Sequence, residues 1–324
     1  MPSFVERLWD ARDAAHLGRR DRAAGRYLAF VPDELGRTLP PIGPEAQSAA
    51  EDALAVLARA DERIGSHGAY LNHLLIRSES ISSSWIEGNR ITPKRLAIAE
   101  TLDTGSRVAL DVIGNVRATE AAIAALADRD RRVTAADIVE LQHVIEPTLP
   151  PGLRTEQNWV GGPGWSPLRA EFVPPPETDV PRLVDDLAAF VTDTTGNPVV
   201  RAAIAHAQFE TIHPFADGNG RTGRALVQLV LRRRGLATRV LPPVSLVLAT
   251  WAGDYIDGLT ATRYRGPAAG KDAQAGLNLW VGRFAGACKR AVKDAASFEQ
   301  RIEQIQRQWR TQLGPVRKNS SADR

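Results

Sequence analysis

Residues 213–224 read HPFADGNGRTGR, and no other stretch of the chain carries as much chemical information. Gly218 and Gly220 allow positive φ and leave neighbouring backbone amides open, which makes a nest for an anion. Asp217 offers carboxylate oxygens, the ligand type that Mg²⁺ prefers. Glycines, a carboxylate and basic side chains in twelve residues predict a polyphosphate-binding site.

Two arginines and two apolar segments extend this interpretation. Arg221 and Arg224 lie three positions apart, so on a helix they are neighbours, and their forked guanidinium groups suit phosphate oxygens. Residues 222–234 form an apolar run that ends in three arginines, which predicts a buried helix whose N-terminus offers amides and a dipole to an anion. Residues 199–212 predict a second buried helix, with His213 at its C-terminal end.

His213 is a candidate general base, because an imidazole with an ordinary pKa near ~6.5 can accept a proton at neutral pH. For any single residue of the stretch there is a plainer explanation, since turns between helices collect Gly, Asn and Asp, and a histidine can cap carbonyls. The ordered combination favours the site. His206 lies on nearly the same helix face and is interpreted as a core histidine rather than a second base.

The twelve residues match, at every position, the signature of Fic (filamentation induced by cyclic AMP) domains, His-x-Phe-x-Asp/Glu-Gly-Asn-Gly-Arg-x-x-Arg. The chain therefore resembles that family, which implies an all-α helical bundle with one short β-hairpin, the flap, over the active site. The resemblance implies transfer of AMP from ATP to a Ser, Thr or Tyr hydroxyl of a protein, itself included, with release of pyrophosphate. The implied roles are these: His213 is the base, Asp217 holds Mg²⁺ on the α and β phosphates, the amides of Gly218, Asn219 and Gly220 cradle them, and Arg221 and Arg224 take the β and γ phosphates.

A second segment resembles a regulatory motif of the same family. Residues 71–87 have near-helical apolar spacing, and Ser83 and Glu87, four apart, project on one helix face. The sequence SSWIEG from Ser83 resembles the inhibitory motif Ser/Thr-x-x-x-Glu-Gly/Asn, whose glutamate pairs with the second motif arginine, here Arg224, and blocks the place of the γ phosphate. The resemblance thus implies an autoinhibited enzyme that carries its inhibitory helix N-terminal to the catalytic core. From the residues alone, an ordinary solvated helix end remains the alternative.

Residues 158–176 predict a short irregular hairpin, because a glycine-rich turn separates two apolar stretches that end in three prolines. The resemblance implies that this hairpin is the flap, which binds the target protein by strand addition. The implied target-binding residues are Trp159, Val160, Gly161, Gly162, Phe172 and Val173. Composition alone also fits a plain surface loop. Arg154 and Glu156, just before the hairpin, are expected to pair with each other.

Residues 251–265 and 276–292 predict two further helices. The resemblance implies that Tyr255 contacts the adenine or ribose, although a tyrosine on an amphipathic helix also suits a core position. The expected organisation has three parts: residues 1–108 as an N-terminal helical extension that carries the inhibitory helix, 109–288 as the Fic catalytic core, and 289–324 as a C-terminal helix and tail.

The amino-acid composition of the chain limits the kinds of partner that we expect. The chain has 324 residues, 43% of them hydrophobic, which suits one large domain or a domain with an extension. Its 41 basic and 38 acidic residues give a net charge of only +3, so the charge gives no reason to expect nucleic acid or a membrane as a partner. The single cysteine, Cys288, excludes an internal disulfide, and residues 1–17 lack the continuous apolar core of a signal peptide, so we expect the reducing cytoplasm as the location.

Three functional hypotheses follow. The first is an autoinhibited protein adenylyltransferase with ATP, Mg²⁺ and a protein target, and the resemblance also allows a homodimer. The second is a related enzyme that removes AMP from a modified protein or uses another nucleotide. The third is a regulatory or toxin–antitoxin interaction module whose Fic fold carries out no transfer. Mg²⁺-dependent ATP binding separates the third from the others.

Overall fold

The structure is a computed structural model that describes residues 1–10, 23–63, 118–162, 166–238 and 243–313. Helices dominate these ranges. The hairpin strands are β1 (Ser3–Trp9) and β2 (Gly25–Val31). The helices are α1 (Pro44–Arg63), α2 (118–126), α3 (Ala135–Ile145), α4 (Val180–Thr192), α5 (Pro198–Ile212), α6 (Asn219–Arg233), α7 (Val244–Thr250), α8 (Ala252–Ala261) and α9 (Lys271–Leu313).

Helices α5 and α6 form the centre of the molecule. Every residue of α5 is buried, and the helix begins with Pro198 after an Asn197 cap whose side chain accepts a hydrogen bond from the Val199 amide. Helix α6 is buried except at two arginines. The two helices approach closely at Gly223, where an added Cβ would lie 2.5 Å from Oε1 of Glu210. This tight packing fixes the ends of the loop that joins them.

The start of α6 differs from the sequence prediction. The apolar run predicts a helix from residue 222, whereas α6 begins at Asn219. The reason is Gly218, which takes φ of 80° as the N-cap and so lets the polar residues Asn219 and Gly220 join the first turn. Of the amides assigned to phosphate binding, those of Asn219 and Gly220 are therefore first-turn helix amides, whereas the Gly218 amide belongs to the N-cap and donates to Oδ1 of Asp217.

The remaining helices surround this pair and share one hydrophobic core. Trp280 and Phe284 of α9 are fully buried, and α1 packs along α9, with the Gly43 amide donating to Oδ1 of Asn278 at 2.7 Å. Helix α9 runs unbroken through position 288, the expected end of the catalytic core. The division into extension, core and tail stays a prediction. Within the described ranges, every helix falls short of the length or apolar character that a membrane span requires.

The two-stranded hairpin packs one face on the helical body. Strands β1 and β2 are antiparallel. Arg7 of β1 forms two hydrogen bonds with the Glu177 carboxylate, at 2.6 and 3.0 Å, and the Trp9 ring meets the Trp159 ring edge-on at 5.5 Å. The predicted class, an all-α bundle with a short β-hairpin, is confirmed. The regular strands fall near the N-terminus, where no pattern in the sequence had predicted them.

Candidate active site

The loop between α5 and α6 carries the proposed base. His213 caps α5 in a left-handed conformation, with φ of 48°, while its amide donates to the Phe209 carbonyl at 2.9 Å. A non-glycine residue rarely takes positive φ, and such strain persists where the surrounding contacts fix it. The ring Nδ1 atom lies 3.9 Å from Oε2 of Glu210, one turn earlier on α5. The Nδ1 atom therefore faces α5, and Nε2 is the ring nitrogen that a substrate hydroxyl can reach.

Burial controls the charge of His213. Burial, as the largest cause, and the nearby positive charges of Arg154 and Arg263 together lower the pKa of the imidazole to about 4. The ring is therefore neutral at pH 7. A neutral imidazole can accept a proton, as a general base must.

Arg154 supports the loop that carries His213. Its guanidinium is buried and donates to the carbonyls of His213 at 2.9 Å and Pro175 at 2.5 Å, while Asn158 donates to the His213 carbonyl at 3.1 Å. Burial lowers the pKa of Arg154 to about 10. The expected pairing of Arg154 with the Glu156 carboxylate is wrong: Nη1 donates instead to the Glu156 backbone carbonyl, because a buried guanidinium is satisfied here by carbonyls from several segments.

The start of α6 presents the amides of the predicted anion site. Gly218 turns the chain into the helix, and the side chain of Asn219 fixes the turn by accepting from the Phe215 amide at 2.9 Å and donating to its carbonyl at 2.8 Å. The first amides of a helix have no intrahelical acceptor. Those of Asn219, Gly220 and Arg221 are therefore available to an anion, supported by the helix dipole.

A cavity of about 490 Å³ opens beside this loop. Its described lining includes four residues that the sequence analysis singled out as base or nucleotide ligands, namely His213, Gly220, Arg224 and Tyr255, together with the two flap residues Val160 and Phe172. The fold thus brings together residues that are 95 positions apart in the chain, from Val160 to Tyr255. The proposed base, the helix start that binds the anion and the proposed target-binding surface therefore line the same cavity.

One wall of the cavity was missed by the sequence analysis. The Phe4, Phe30 and Phe172 rings follow one another at centroid distances of 5.3 and 6.2 Å. Arg265 lies over Phe4 at 4.5 Å, and Arg263 lies over Phe172 at 3.5 Å. Residues 3–9 gave no signal for this wall, because their apolar and polar residues come in consecutive pairs and do not alternate as those of a half-buried strand would.

Four predicted ligands of the motif, Asp217, Gly218, Asn219 and Arg221, are not among the described residues that line the cavity. Asp217 is exposed, and its Oδ1 accepts from the Gly218 amide at 2.6 Å. Arg221 forms an ion pair with Glu146, which follows α3, and donates to the Ile145 carbonyl at 3.3 Å. Glu146 carried no signal in the sequence, because its partner lies 75 residues away.

Tyr255 belongs to the cavity wall and to the core at once. Its hydroxyl lies 2.9 Å from Nε2 of His206, whose ring stacks near those of Tyr255 and Trp280. His206 is fully buried, and burial lowers its pKa to about 3. The interpretation of His206 as a core histidine is confirmed, whereas nucleotide contact by Tyr255 stays a prediction.

The predicted flap is an irregular hairpin held by one β-bridge. The Val160 amide donates to the Phe172 carbonyl at 2.8 Å, and the Phe172 amide donates to the Val160 carbonyl at 3.1 Å. Gly161 and Gly162 follow with φ of 71° and 68°, which turns the chain. Trp159 contacts β1, and the Val173 carbonyl accepts from β2, so the N-terminal hairpin flanks the flap. Residues 163–165 lie outside the described residues, as do Ser83 and Glu87 of the predicted inhibitory helix.

Comparison with known proteins agrees with this geometry. Residues 132–231, which contain the loop and the start of α6, match the Fic/DOC family. A protein adenylyltransferase fic-1 of Caenorhabditis briggsae is 33% identical over 134 residues, which cover 40% of this chain and 24% of that protein. The chain thus spans about a quarter of that relative's length. The matched segment contains the signature on which the resemblance rests.

Solved structures give the same answer for the fold. A Fic family protein from Desulfovibrio desulfuricans G20 has a TM-score of 0.61 at 25% identity, covering 81% of this chain and 77% of that one. Fic-1 from Caenorhabditis elegans, residues 134–508, has a TM-score of 0.57 at 20% identity, covering 80% and 75%. The described helical bundle is a Fic fold.

Proposed function

We propose that this protein is an adenylyltransferase that transfers AMP from ATP to a Ser, Thr or Tyr hydroxyl of a protein, itself included. One observation carries the proposal: the neutral imidazole of His213, the amide-bearing start of α6 and the Arg224 side chain meet at one cavity of about 490 Å³. Relatives named protein adenylyltransferase support the choice of reaction.

The proposed chemistry assigns each group one task. Amides of Asn219 and Gly220 and the Arg224 guanidinium bind the phosphates, because positioned donors stabilise charge that develops on phosphoryl oxygens. The acceptor hydroxyl oxygen attacks the α phosphorus, the bond from that phosphorus to the bridging oxygen breaks, and pyrophosphate leaves. His213 takes the hydroxyl proton at Nε2. The largely buried setting of His213 limits water as a competing acceptor.

Asp217 fits the Mg²⁺ that the family implies. Magnesium in nucleotide enzymes is held by one or two carboxylates together with substrate phosphates, so a single exposed carboxylate beside the helix start is sufficient. The described residues contain no cluster of three or more ligands that would suit an all-protein metal site. When bound, Mg²⁺ supplies positive charge that offsets the phosphates.

Target binding is assigned to the flap. Val160 and Phe172 line the same cavity as His213, which supports docking of an extended target segment along the bridged hairpin. Backbone pairing gives affinity with little sequence preference, so several proteins can serve as targets. The single buried cysteine, Cys288, supports the cytoplasm as the working compartment.

Autoinhibition by Glu87 is part of the proposal. Arg224 is 3% exposed and lines the cavity, so a carboxylate bound to it would occupy the place of the γ phosphate. The Ser83–Glu87 motif supplies that carboxylate in the sequence. Removal of Glu87 should therefore open the site to ATP.

The test is labelling with α-labelled ATP and Mg²⁺, using the wild type, Glu87→Gly and the Glu87→Gly/His213→Ala double variant, with added lysate as a source of targets. We expect label chiefly with Glu87→Gly, at least tenfold above the wild type, and none with the double variant. Glu79→Gly is the matched control, since it places the same substitution in the same predicted helix.

Each result has a clear meaning. Equal labelling by the wild type and Glu87→Gly would remove the autoinhibition. Equal stimulation by Glu79→Gly would trace the effect to a damaged helix. Absence of Mg²⁺-dependent ATP binding in every variant would favour an interaction module. ATP binding without label, together with loss of AMP from a pre-modified protein, would assign the reverse reaction.

A further inference from the structure

Arg221, the first arginine of the motif, already has an anionic partner inside the protein. Its Nη2 atom donates to the Glu146 carboxylate, and its Nη1 atom donates to the Ile145 carbonyl at 3.3 Å. Both side chains of the ion pair are largely buried, at 18% and 17% exposure. Arg221 is thus tied to the C-terminal end of α3, where the helix dipole also favours a cation.

Glu146 is held in place independently of Arg221. The Thr148 hydroxyl donates to its Oε1 at 2.6 Å, and the Glu146 amide caps α3 by donating to the Gln142 carbonyl at 2.8 Å. Burial would raise the pKa of the Glu146 carboxyl, but the hydrogen bonds from Thr148 and Arg221 and the charge of Arg221 together lower it. The carboxylate is therefore ionised at neutral pH.

The ion pair adjoins the turn that starts α6. A Cβ added at Gly218 would lie 3.5 Å from Cβ of Glu146 and 3.9 Å from Nη2 of Arg221. Gln142 of α3 also donates to the Asp217 carbonyl, at 3.1 Å. The C-terminal end of α3 thus packs against and hydrogen-bonds to the same turn that presents the anion-binding amides.

We propose that Glu146 is a positioning residue that holds Arg221 away from the phosphates and so sets the affinity of the site for them. The inference rests on the proposed function, because it concerns the same nucleotide. A phosphate can bind Arg221 only by displacing the Glu146 carboxylate or by sharing Arg221 with it. Thr148 and the α3 cap hold that carboxylate in place. Glu146 contacts neither the cavity nor His213 in the described structure, so it acts through Arg221 alone.

The test replaces Glu146 by glutamine, which keeps the shape and removes the charge. In the Glu87→Gly background, where the site is open to ATP, calorimetric titration of Glu146→Gln with Mg·ATP and with pyrophosphate should give binding roughly tenfold tighter than with Glu146 present, since an arginine released from its carboxylate can form a charge-assisted hydrogen bond with a phosphate oxygen. The KM for ATP should fall while kcat stays the same, because His213 is untouched. Glu140→Gln, an exposed carboxylate on the same helix, is the control and should change nothing.

Arg221→Gln, alone and combined with Glu146→Gln, tests the route of the effect. The gain from Glu146→Gln should vanish when Arg221 is absent. A gain that persists without Arg221 would overturn the positioning role. Unchanged or weaker affinity in Glu146→Gln would overturn it too, and a lowered melting temperature without any gain would make the pair purely structural. If no variant binds Mg·ATP the proposed function fails, whereas pyrophosphate still reports on Glu146.

Discussion

At the scale of single residues, the site depends on one imidazole whose environment keeps it uncharged. His213 is held by α5, by the Arg154 brace and by positive φ, while two arginines and burial disfavour its protonation. A base with a lowered pKa is weak as a proton acceptor. Bound phosphates would bring negative charge near the ring and raise its pKa toward the range where a base is effective.

This arrangement predicts the pH dependence of transfer. In the free enzyme the pKa of His213 is about 4, so kcat/KM for ATP should stay level from pH 8 down to about 5 and fall below that. The measurement is labelling by Glu87→Gly across this range, with Mg²⁺ in excess so that ATP stays complexed. A decline centred near ~6.5, the ordinary histidine value, would show that burial does not control the base.

At the scale of elements, the loop, the flap and the C-terminal end of α5 are joined by one buried arginine. Arg154 donates to the carbonyls of His213 and Pro175, and its amide donates to the Pro214 carbonyl at 2.9 Å. Its five donors lie in a rigid fork and can satisfy several separated carbonyls at once, whereas the three donors of a lysine all belong to one nitrogen. Flap and base therefore keep a fixed relation because both are attached to the same guanidinium.

Arg154→Lys should accordingly lower both stability and activity. Buried carbonyls left unsatisfied should cost about 2–3 kcal/mol of unfolding free energy. Transfer should fall more than tenfold, since the His213 loop and the flap lose their common brace. Arg201→Lys is the matched control, because Arg201 is 1% exposed and donates to carbonyls of Phe190 and Thr195 away from the cavity.

Urea unfolding and labelling of Glu87→Gly in each background measure the two effects. Both variants should lose similar stability, but only Arg154→Lys should lose transfer beyond what its unfolded fraction explains. An equal loss of transfer in Arg154→Lys and Arg201→Lys would mean that Arg154 acts only as a core residue.

The elements also show what a sequence can predict. Helices α5 and α6 follow from their apolar runs, and the flap follows from its glycines and prolines, because these signals are local. The Arg154 brace, the Glu146–Arg221 pair and the hairpin's place against the flap join residues 59, 75 and more than 140 positions apart. Such contacts depend on tertiary packing, and the local pattern around Arg154 and Glu156 favoured the side-chain carboxylate of Glu156 where the backbone carbonyl is the acceptor.

At the scale of the whole molecule, the core contains a second uncharged histidine that affects stability. His206 lies between Tyr255 and Trp280 behind the cavity and has a pKa of about 3. In the unfolded chain its pKa returns to about 6.5, so between these values the unfolded state binds a proton that the folded state does not. Stability is then fully present above about pH 6.5 and is lost as the pH falls.

The free energy of unfolding should therefore decrease from pH 6.5 to pH 4.5, by up to about 1.4 kcal/mol per pH unit for His206 and by less for His213, whose side chain is 21% exposed. Urea unfolding at several pH values measures this slope. His206→Gln keeps a hydrogen-bonding group for Tyr255 but cannot titrate, so its slope should be flatter than that of the wild type. Carboxylates with lowered pKa, such as those of Glu177 and Asp193, contribute only nearer pH 4 and below. A wild-type slope in His206→Gln would mean that the core histidine is not the group that makes this fold sensitive to mild acid.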